Sequence, residues 1–400
     1  MANKYLKEES ELFELEPKSV LNPLNAFRVI KKLAKTWEEI SKEIQSDLAE
    51  NYLKNISNQR ETRFPNEDDL NGAIQGLLRL QDTYKLKTKD LANGIVEDIN
   101  INKQMDAKVC YEIGLAAYNE EDYYHSILWM EEANERYYLL EKESTEINKS
   151  DILNILSISL YKQGNLKRAL IINDKLIELD PLYPNATNNS KLHEQELLAN
   201  GVNEEDFRSN IPPLNNTRMS SGYEELCRGE NEISITEISK LYCYYKMDRP
   251  FLRLAQLNAW ISVKIHPIVK QIAKRLKLMT NLNLKSAEPL QVANYGIGGY
   301  CKPHFDFLKD SNFTMETGDR IATVLFYLST PKKGGYTVFT DIKTVAKPTK
   351  NDALFWYNML RSVDIDWRTR HAACPVLLGD KWAMNCFIHE NRKNLFVPVV

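Results

Sequence analysis

Apolar residues recur at every third or fourth position through the first half of the chain. The stretches 19–54 and 68–91 both show this spacing, as in "NAFRVIKKLAKTWEEI" and "LNGAIQGLLRLQDTY". Such spacing is typical of helices that bury one face against neighbouring helices. The pattern therefore predicts that about the first 200 residues are helical.

Two segments within this helical half share a layout. In each, a tyrosine (Tyr118 or Tyr161) precedes a short turn and a second helix, and the second segment closes on "KLIELDP". The second segment fits the pattern of a tetratricopeptide helical hairpin. We predict a helical region over 1–100, a tetratricopeptide-like domain over 101–186, and a linker over 187–222 that is rich in Asn, Ser and Pro.

Aromatic side chains are concentrated in these hairpins. An aromatic-lined groove is a common way to bind a proline-rich peptide in its extended polyproline II form. Aromatic residues at helical spacing are also ordinary core residues, so each one taken alone has both interpretations. The tyrosines that we predict to bind such a peptide are Tyr118, Tyr123, Tyr124 and Tyr161.

The pattern changes to short β-rich runs after Leu290. Eight such runs follow, from "LQVANYG" to "KWAMNCFIHE", separated by Gly, Pro, Asp and Asn residues. Closely spaced strands of this type favour a sandwich or a jelly roll, and a jelly roll can hold a small site at its mouth. The chain is therefore predicted to be a multidomain α + β protein.

Composition and charge narrow the classes of function. The chain of 400 residues carries a net charge of −3, so nothing indicates a nucleic-acid or membrane-surface partner. The opening "MANKYLKEESELFE" lacks the apolar run of a signal peptide, and no run of about 18 apolar residues predicts a membrane span. Cys227 and Cys243 bracket a short polar segment and can close a disulfide loop, a pairing that the sequence alone leaves open.

The stretch "GGYCKPHFDF" carries the first candidate chemistry. Residues two apart on a strand point to the same face, so His304 and Asp306 can offer a nitrogen and a carboxylate oxygen to one ion. His371, on a later predicted strand, can supply a third ligand. Two histidines and one carboxylate form the facial triad of non-haem Fe(II) oxygenases. A single His-x-Asp on a strand is, however, more often structural.

Lys381 follows His371 by ten residues and lies on an otherwise apolar predicted strand. A lysine in such a position costs desolvation free energy unless its ammonium group meets an anion. Lys381 is therefore a candidate partner for a carboxylate. An outward-facing, solvated lysine fits the same pattern equally well.

These residues lie in runs that resemble a known family. The runs "ANYGIGGYCKPHFDF", "GDRIATVLFYLS", "ALFWYN" and "RHAACPVLLGDKW" are similar to the catalytic domain of collagen prolyl 4-hydroxylase alpha subunits. The similarity extends upstream through "DYYHSILWM" to "LNPLNAFRVIKKLAKTW". It implies a double-stranded β-helix (jelly-roll) dioxygenase domain over 223–400. This domain would hydroxylate peptidyl proline with Fe(II), 2-oxoglutarate and O₂, releasing succinate and CO₂.

The resemblance also assigns roles to seven positions. The iron ligands that it implies are His304, Asp306 and His371. The side chains that it places on 2-oxoglutarate are Lys381, Tyr295 and Thr337. Arg320 matches a position near the peptide substrate.

The resemblance further implies a set of partners. It predicts binding of a proline-rich, collagen-like peptide by the tetratricopeptide-like domain and dimerisation through the N-terminal helices. Protein disulfide isomerase would be the beta subunit of a tetramer, with ascorbate keeping the iron reduced. The expected compartment is the lumen of the endoplasmic reticulum, although the chain shows no signal peptide.

The chain departs from the family pattern mainly on the substrate side. Cys301 and Lys302 stand where the family has Tyr-Glu, and Phe387 stands where it has tryptophan. The segment after "PFLRLAQ" is shorter, which removes part of the family's N-terminal strands and lid. The family's C-terminal cysteine partner for the position of Cys374 is also missing.

These departures keep alternatives open. The chain can instead be a catalytically weak or inactive paralogue that binds proline-rich peptides as a subunit. A lysyl hydroxylase is a lesser alternative, because that family uses arginine at the position of Lys381.

Overall fold

The computed structural model describes residues 19–44, 65–139, 147–218, 222–234, 258–262, 266–308, 318–362 and 364–390. The chain divides into two compact units. One unit comprises residues 27–220 and is called the helical unit below. The other comprises 1–26 together with 221–400 and is called the β unit.

The helical unit consists of helices joined by short turns, as the apolar spacing predicts. Its helices are α1 (Pro23–Ile44), α2 (Glu67–Tyr84), α3 (Thr88–Ala92), α4 (Ala107–Asn119), α5 (Tyr123–Leu139), α6 (Lys149–Lys162), α7 (Leu166–Leu179) and α8 (Ala186–Ala199). A small antiparallel ladder joins β1 (Ile95–Val96) to β2 (Ile99–Asn100). The helices α4 and α5, and then α6 and α7, form the two predicted hairpins.

Local sequence signals fix where these helices begin. The Asp106 carboxylate accepts a hydrogen bond from the backbone N–H of Val109 at the start of α4, and Asn148 caps α6 in the same way. Trp129 is fully buried, and its indole N–H donates to the Gln81 side chain at 3.0 Å. Trp129 is therefore a core residue rather than part of a peptide-binding surface.

The prediction of a linker over 187–222 is wrong for its first part. Helix α8 occupies most of that part, and Leu197 of α8 packs with Leu170 and Phe207 in a buried cluster. Two of the four buried positions of α8 are polar, Ser190 and His193. The buried face is therefore only half apolar, which is why hydrophobic periodicity did not reveal this helix.

The β unit confirms the predicted jelly-roll class. Its five-stranded sheet has the order β10 (Ala353–Tyr357), β6 (Arg320–Tyr327), β13 (Lys381–His389), β4 (Leu290–Tyr295), β3 (Asn258–Ile261). Its four-stranded sheet has the order β5 (Cys301–His304), β11 (His371–Ala373), β8 (Thr337–Phe339), β9 (Thr344–Ala346). Strands β7 (Lys333–Gly334) and β12 (Val376–Leu378) form a separate short ladder. The helices of this unit are α9 (Tyr223–Cys227) and α10 (Pro267–Thr280).

Side chains alternate between the two faces of the five-stranded sheet, so one face forms the hydrophobic core and the other forms the candidate site. Val324 and Phe326 of β6, with Met384 of β13, pack beneath Ile272 and Leu276 of α10 in the main hydrophobic cluster. The intervening residues of β6 and β13 point to the opposite face of the sheet. That second face is where the candidate site lies.

Three local predictions need correction. The strand predicted at "HFDF" ends at His304, so Asp306 lies beyond it in a bend. The run "RHAACPVLL" forms two strands in different ladders, because β11 ends before Cys374 and Pro375. Upstream of Leu290, β3 adds an edge strand that the pattern did not predict.

The structure pairs Cys227 with Cys374 in a disulfide. This differs from the predicted loop between Cys227 and Cys243, and Cys243 itself lies outside the described residues. It also corrects the expectation that Cys374 lacks a partner. The bond joins α9 to the residue that follows β11, and both half-cystines belong to a small core with Val338 and Ala372. The disulfide therefore fastens α9 to the four-stranded sheet.

Candidate active site

A single cavity of about 280 Å³ lies on the second face of the five-stranded sheet. Alternate residues of β13 line it, from Lys381 through Ala383 and Asn385 to Phe387. The seven side chains to which the family resemblance assigns roles all line this cavity: Tyr295, His304, Asp306, Arg320, Thr337, His371 and Lys381. The structure thus brings together residues that are up to 86 positions apart in the chain.

The three candidate metal ligands converge through strand pairing. His304 is the last residue of β5 and His371 the first of β11, and the two stand opposite each other in this antiparallel pair. The bend after β5 then returns Asp306 toward both rings. One ligand atom from each of the three residues lies within 4.8 Å of the others.

Hydrogen bonds to the backbone orient both histidine rings. His371 Nδ1 lies 2.9 Å from the Thr369 carbonyl oxygen, and His304 Nδ1 lies 2.7 Å from the Lys302 carbonyl oxygen. A carbonyl oxygen can only accept, so each Nδ1 carries the proton. Each Nε2 is therefore the ring nitrogen available to a metal, which is the usual arrangement for metal-binding histidines.

The charges of the triad depend on one another. Burial would raise the pKa of Asp306, but His304, the nearby His371 and the Thr323 hydroxyl outweigh it and hold that pKa below its usual value. Burial would lower the pKa of His304, yet Asp306 and Cys301 raise it to about 10. For His371, burial dominates and lowers the pKa. At neutral pH the ionised Asp306 carboxylate therefore lies between a protonated His304 and a neutral His371, and a bound metal ion would displace the Nε2 proton of His304.

This donor set fits Fe(II). Two imidazole nitrogens and one carboxylate oxygen on one side of an ion match the 2-His-1-carboxylate arrangement, which leaves coordination positions for other ligands. Among the residues that the structure describes, this is the one group of three such side chains close enough to share a metal ion. The arrangement can thus support oxygenase chemistry with a co-substrate bound at the open positions.

Lys381 supplies a buried positive group at another part of the cavity wall. Its side chain is only 1% exposed, and its ammonium nitrogen lies 5.0 Å from the centre of the Tyr295 ring and 5.6 Å from that of Tyr327. Burial lowers the pKa of Lys381 to about 7. An anionic ligand would restore the charged form, as expected for a carboxylate-binding lysine.

Thr337 places a hydroxyl group on the cavity wall, and the oxygen of that group accepts a hydrogen bond. The Tyr327 hydroxyl donates to Thr337 Oγ1 at 2.8 Å within the buried wall. The Thr337 proton is therefore free to point at a ligand. Tyr327 was not identified from the sequence, although its alternation with the core residue Phe326 placed it on the site face.

Arg320 is held by a network rather than pointing freely at a ligand. Its Nε and Nη2 donate to the two carboxylate oxygens of Glu288 at 2.6 and 3.0 Å, and its guanidinium group lies 3.8 Å from the centre of the Phe387 ring. His389 Nε2 lies 2.8 Å from Glu288 Oε1. Glu288 and His389 could not be identified from the sequence, because a single Glu or His carries no spacing signal.

Cys301 and Lys302, the two residues beside the triad that differ from the family pattern, lie in different environments. The Cys301 side chain lines the cavity, with its sulfur 3.5 Å from His304 Nδ1. The Lys302 side chain is exposed, and only its backbone carbonyl takes part in the site. Of the pair, only Cys301 changes the chemistry of the cavity wall.

The four tyrosines predicted to bind peptide lie on the hairpins of the helical unit. All four are half-buried. Tyr118 and Tyr123 pack edge to face with ring centres 5.9 Å apart, and Tyr161 stacks on His193 at 4.9 Å. Tyr124 packs against His125 at 4.8 Å. Their role in peptide binding stays a prediction.

The helical unit also has a larger cavity, of about 630 Å³, which we call the amide groove. Its lining residues are Asp151, Asn154, Ile158, Tyr183, Pro184, Asn185, Asn188 and Asn189. None of the four predicted tyrosines is among them. Tyr161, however, follows Asn154 and Ile158 at helical spacing on α6, so it extends the same helix face.

Comparison with protein-family models gives three matches along the chain. Residues 1–98 match the N-terminal region of the prolyl 4-hydroxylase alpha subunit. Residues 107–200 match the prolyl 4-hydroxylase peptide-substrate-binding domain. Residues 290–389 match the 2OG-Fe(II) oxygenase superfamily. The second match ends at the C-terminal end of α8, in agreement with the structured segment that the linker prediction missed.

Curated proteins show the same similarity over nearly the whole chain. The chain is 40% identical to prolyl 4-hydroxylase subunit alpha-1 of Caenorhabditis elegans, over 98% of this chain and 82% of that protein. It is 34% identical to the Homo sapiens subunit alpha-1, over 94% of this chain and 84% of that protein.

Among solved structures, the chain is similar to the viral collagen prolyl hydroxylase of Paramecium Bursaria Chlorella virus-1. The identity is 27% over 34% of this chain and 79% of that one, with a TM-score of 0.30.

Proposed function

The chain belongs to the family of prolyl 4-hydroxylase alpha subunits, and from this premise we propose that it hydroxylates C4 of proline in a proline-rich, collagen-like peptide. The co-substrates are 2-oxoglutarate and O₂, and the products beside hydroxyproline are succinate and CO₂. The observation that carries the proposal is the convergence of a His-Asp-His group and a buried lysine on one cavity.

His304, Asp306 and His371 hold the iron in this proposal. The bound iron supplies the redox chemistry that couples decarboxylation of 2-oxoglutarate to hydroxylation of the proline. The three side chains present their ligand atoms in a preformed geometry, because backbone carbonyls already orient both rings. Preformed ligands avoid reorganisation when the metal binds.

Lys381, Thr337 and Tyr295 orient 2-oxoglutarate. The distal carboxylate meets the buried ammonium group of Lys381, and the Thr337 hydroxyl donates a second hydrogen bond. In a buried site such charge-assisted contacts are strong because little water competes for them. Arg320, fixed by Glu288, lies at the part of the cavity where the peptide would enter.

The amide groove of the helical unit is the proposed site for the flanking peptide. A polyproline II chain makes no hydrogen bonds within itself, so its carbonyl groups need donors from the protein. Asn154, Asn185, Asn188 and Asn189 provide amide donors and acceptors along the groove. Tyr161 and Tyr118 would add apolar ring surface beside it.

The partners follow from the same family membership. We infer a tetramer in which two copies of this chain associate with protein disulfide isomerase, and ascorbate as the reductant of the iron. The compartment inferred is the lumen of the endoplasmic reticulum. The disulfide between Cys227 and Cys374 supports an oxidising compartment. No helix in the described part of the chain is long and apolar enough to cross a membrane.

A second candidate function rests on Cys301. Its thiol lines the cavity beside His304 and cannot offer the phenol that the family places there. A chain that keeps the cofactor site but cannot position the proline would act as a proline-rich-peptide-binding subunit.

Peptide turnover distinguishes these two functions. The chain is co-expressed with protein disulfide isomerase and incubated with Fe(II), 2-oxoglutarate, ascorbate and a Pro-Pro-Gly repeat peptide. We expect 4-hydroxyproline by mass spectrometry, and none from the Asp306→Ala variant. Binding of the peptide without any hydroxyproline, in a complex that binds metal and 2-oxoglutarate, would overturn the enzymatic proposal in favour of the binding subunit.

A further inference from the structure

A buried chain of hydrogen bonds leads from the candidate iron ligand Asp306 into the protein interior. The Thr323 hydroxyl donates to Asp306 Oδ2 at 2.8 Å, and Asn358 Nδ2 donates to Thr323 Oγ1 at 2.9 Å. Thr323 is 1% exposed and Asn358 is fully buried. No sequence motif connects these residues, which come from β6 and from the position directly after β10.

The direction of each bond in this chain is fixed by chemistry. The Asp306 carboxylate is ionised and can only accept, so the single Thr323 hydroxyl proton points to it. Thr323 Oγ1 must then accept its second bond, and only the Nδ2 end of the Asn358 amide can donate it. The orientation of the Asn358 amide is therefore determined by the Asp306 carboxylate, which lies two hydrogen bonds away.

Asn358 itself is held in place from the backbone. Its N–H donates to the Ile321 carbonyl at 2.8 Å, and its carbonyl accepts from the Asp366 N–H at 3.0 Å. Its Oδ1 is buried and has no hydrogen-bond partner among the described residues. An unpaired buried acceptor typically costs about 1–3 kcal/mol. The fold therefore accepts the free-energy cost of leaving Asn358 Oδ1 unpaired, while Asn358 Nδ2 keeps its hydrogen bond to Thr323.

We propose that Thr323 and Asn358 are positioning residues that hold the Asp306 carboxylate in one orientation for the metal. Thr323 takes up one lone pair of Oδ2, which also lies 3.7 Å from His371 Nε2. This bond favours Oδ1, 3.5 Å from His304 Nε2, as the oxygen that would bind the iron. Without the hydroxyl, the carboxylate could rotate or bind through both oxygens. This inference rests on the proposed iron site, and it adds a requirement that the three ligands alone do not contain.

The hydrogen bond from Thr323 also explains how Asp306 can be held in place although it does not lie on a strand. Asp306 lies in the bend after β5, where strand geometry no longer fixes its side chain. Thr323 faces it from β6, a strand paired on both sides, with β10 and β13. A strand from the interior of the sheet thus supplies the constraint that the bend lacks.

The experiment is a Co(II) titration of the purified, metal-free complex with protein disulfide isomerase, without 2-oxoglutarate. Thr323→Val keeps the shape of the side chain and removes the hydroxyl, and we expect metal affinity to fall about 10- to 100-fold. Thr323→Ser restores the hydroxyl and should return affinity to within about threefold of the parent. The Co(II) absorption spectrum should change in Thr323→Val and match the parent in Thr323→Ser.

A second substitution tests the outer member of the chain. Asn358→Asp is nearly isosteric and replaces the donor by an acceptor, so the Thr323 proton is shared between two carboxylates and metal affinity should again fall. Thr344→Val is the matched control, because Thr344 lies on β9 and its hydroxyl donates to the Ile342 carbonyl instead. Its metal affinity should equal that of the parent.

The outcomes separate this inference from the proposed function. If His371→Ala abolishes Co(II) binding while Thr323→Val and Asn358→Asp bind like the parent with an unchanged spectrum, the positioning role is overturned and the iron site stands. If His371→Ala also binds like the parent, the iron site itself is wrong. Thermal melts of every variant identify any loss that comes from unfolding, and the Thr323→Ser rescue then decides the question.

Discussion

The cavity of the β unit and the amide groove of the helical unit differ in the kinds of side chain that line them. The cavity of the β unit gathers a carboxylate, two imidazoles and a buried ammonium group within about 280 Å³. The amide groove of the helical unit is more than twice as large, and amides supply four of its eight lining residues. The first has the properties of a site for a small, charged co-substrate and a metal. The second suits an extended chain that offers repeated carbonyl groups.

This difference decides what a sequence can reveal. Iron restricts its ligands to a few residue types, and the chain has only six histidines, so the ligand positions implied by the family resemblance could be matched to His304, Asp306 and His371.

A peptide groove can be built from amides, hydroxyls or rings. The tyrosines were predicted to bind peptide because aromatic rings often line such grooves. Of the asparagines that line the groove, Asn188 and Asn189 lay in the predicted linker, and no role was predicted for Asn154 or Asn185.

The largest effect should come from removing one iron ligand. His371→Ala leaves two ligands, and we expect hydroxylation to fall by about 1,000-fold or more, since the chemistry depends on the metal. Hydroxyproline formation and bound metal are measured together. His266→Asn is the matched control, because His266 is an exposed cap of α10 and asparagine is also a good cap. A His371→Ala variant that keeps both metal and turnover would place the reaction elsewhere.

Loss of the buried ammonium group should have the next largest effect. In Lys381→Met the 2-oxoglutarate carboxylate loses its charged partner, and we expect the KM for 2-oxoglutarate to rise about 100-fold, in line with the loss of a buried charge pair. The KM for peptide should change little. Lys332→Met, at an exposed lysine of the same unit, serves as the control. Equal effects on both KM values would argue against a specific carboxylate contact.

The amide groove can be tested against the tyrosines directly. Asn154→Leu keeps the approximate size of the side chain and removes both its donor and its acceptor, so the affinity for a proline-rich peptide should fall about tenfold. Tyr123→Phe should have a smaller effect. Asn203→Leu, at an exposed position outside the groove, is the control. The reverse order of effects would favour the predicted tyrosine surface.

The smallest expected effect is a dependence on pH. Lys381 binds a carboxylate in its protonated form, and burial places its pKa at about 7 in the free protein. The binding-competent fraction is therefore nearly complete well below pH 7 and decreases as the pH rises through that value. Affinity for 2-oxoglutarate should fall about fivefold between pH 7 and 8. Calorimetry on the metal-loaded complex measures this, and an affinity that rises with pH would contradict it.

The fold could be predicted from the sequence as far as its periodicities were clear. The amphipathic helices and the alternating strands were both confirmed. Helix α8 was missed because its buried face carries Ser190 and His193. The pairing of Cys227 with Cys374 could not be predicted either, because the two cysteines are 147 residues apart and only the folded sheet brings α9 next to β11.

The site shows the same limit at closer range. His304, Asp306, His371 and Lys381 could be identified because they match motif positions of a known family, whereas their own spacing was weak evidence. Thr323 and Asn358 could not, because a threonine on a strand and an asparagine after one are ordinary. Their importance depends on the contact of Thr323 with Asp306 and of Asn358 with Thr323. Residues that position other residues are visible only once the structure joins them.

The central claim is that this cavity uses O₂ and 2-oxoglutarate together to hydroxylate proline. The most direct measurement supplies heavy-isotope O₂ to the complex with protein disulfide isomerase, Fe(II), ascorbate, 2-oxoglutarate and a Pro-Pro-Gly repeat peptide. We expect one heavy oxygen atom in succinate and one in hydroxyproline for each turnover. Hydroxyproline without heavy oxygen, or its formation without labelled succinate, would show that the cavity does not carry out this reaction.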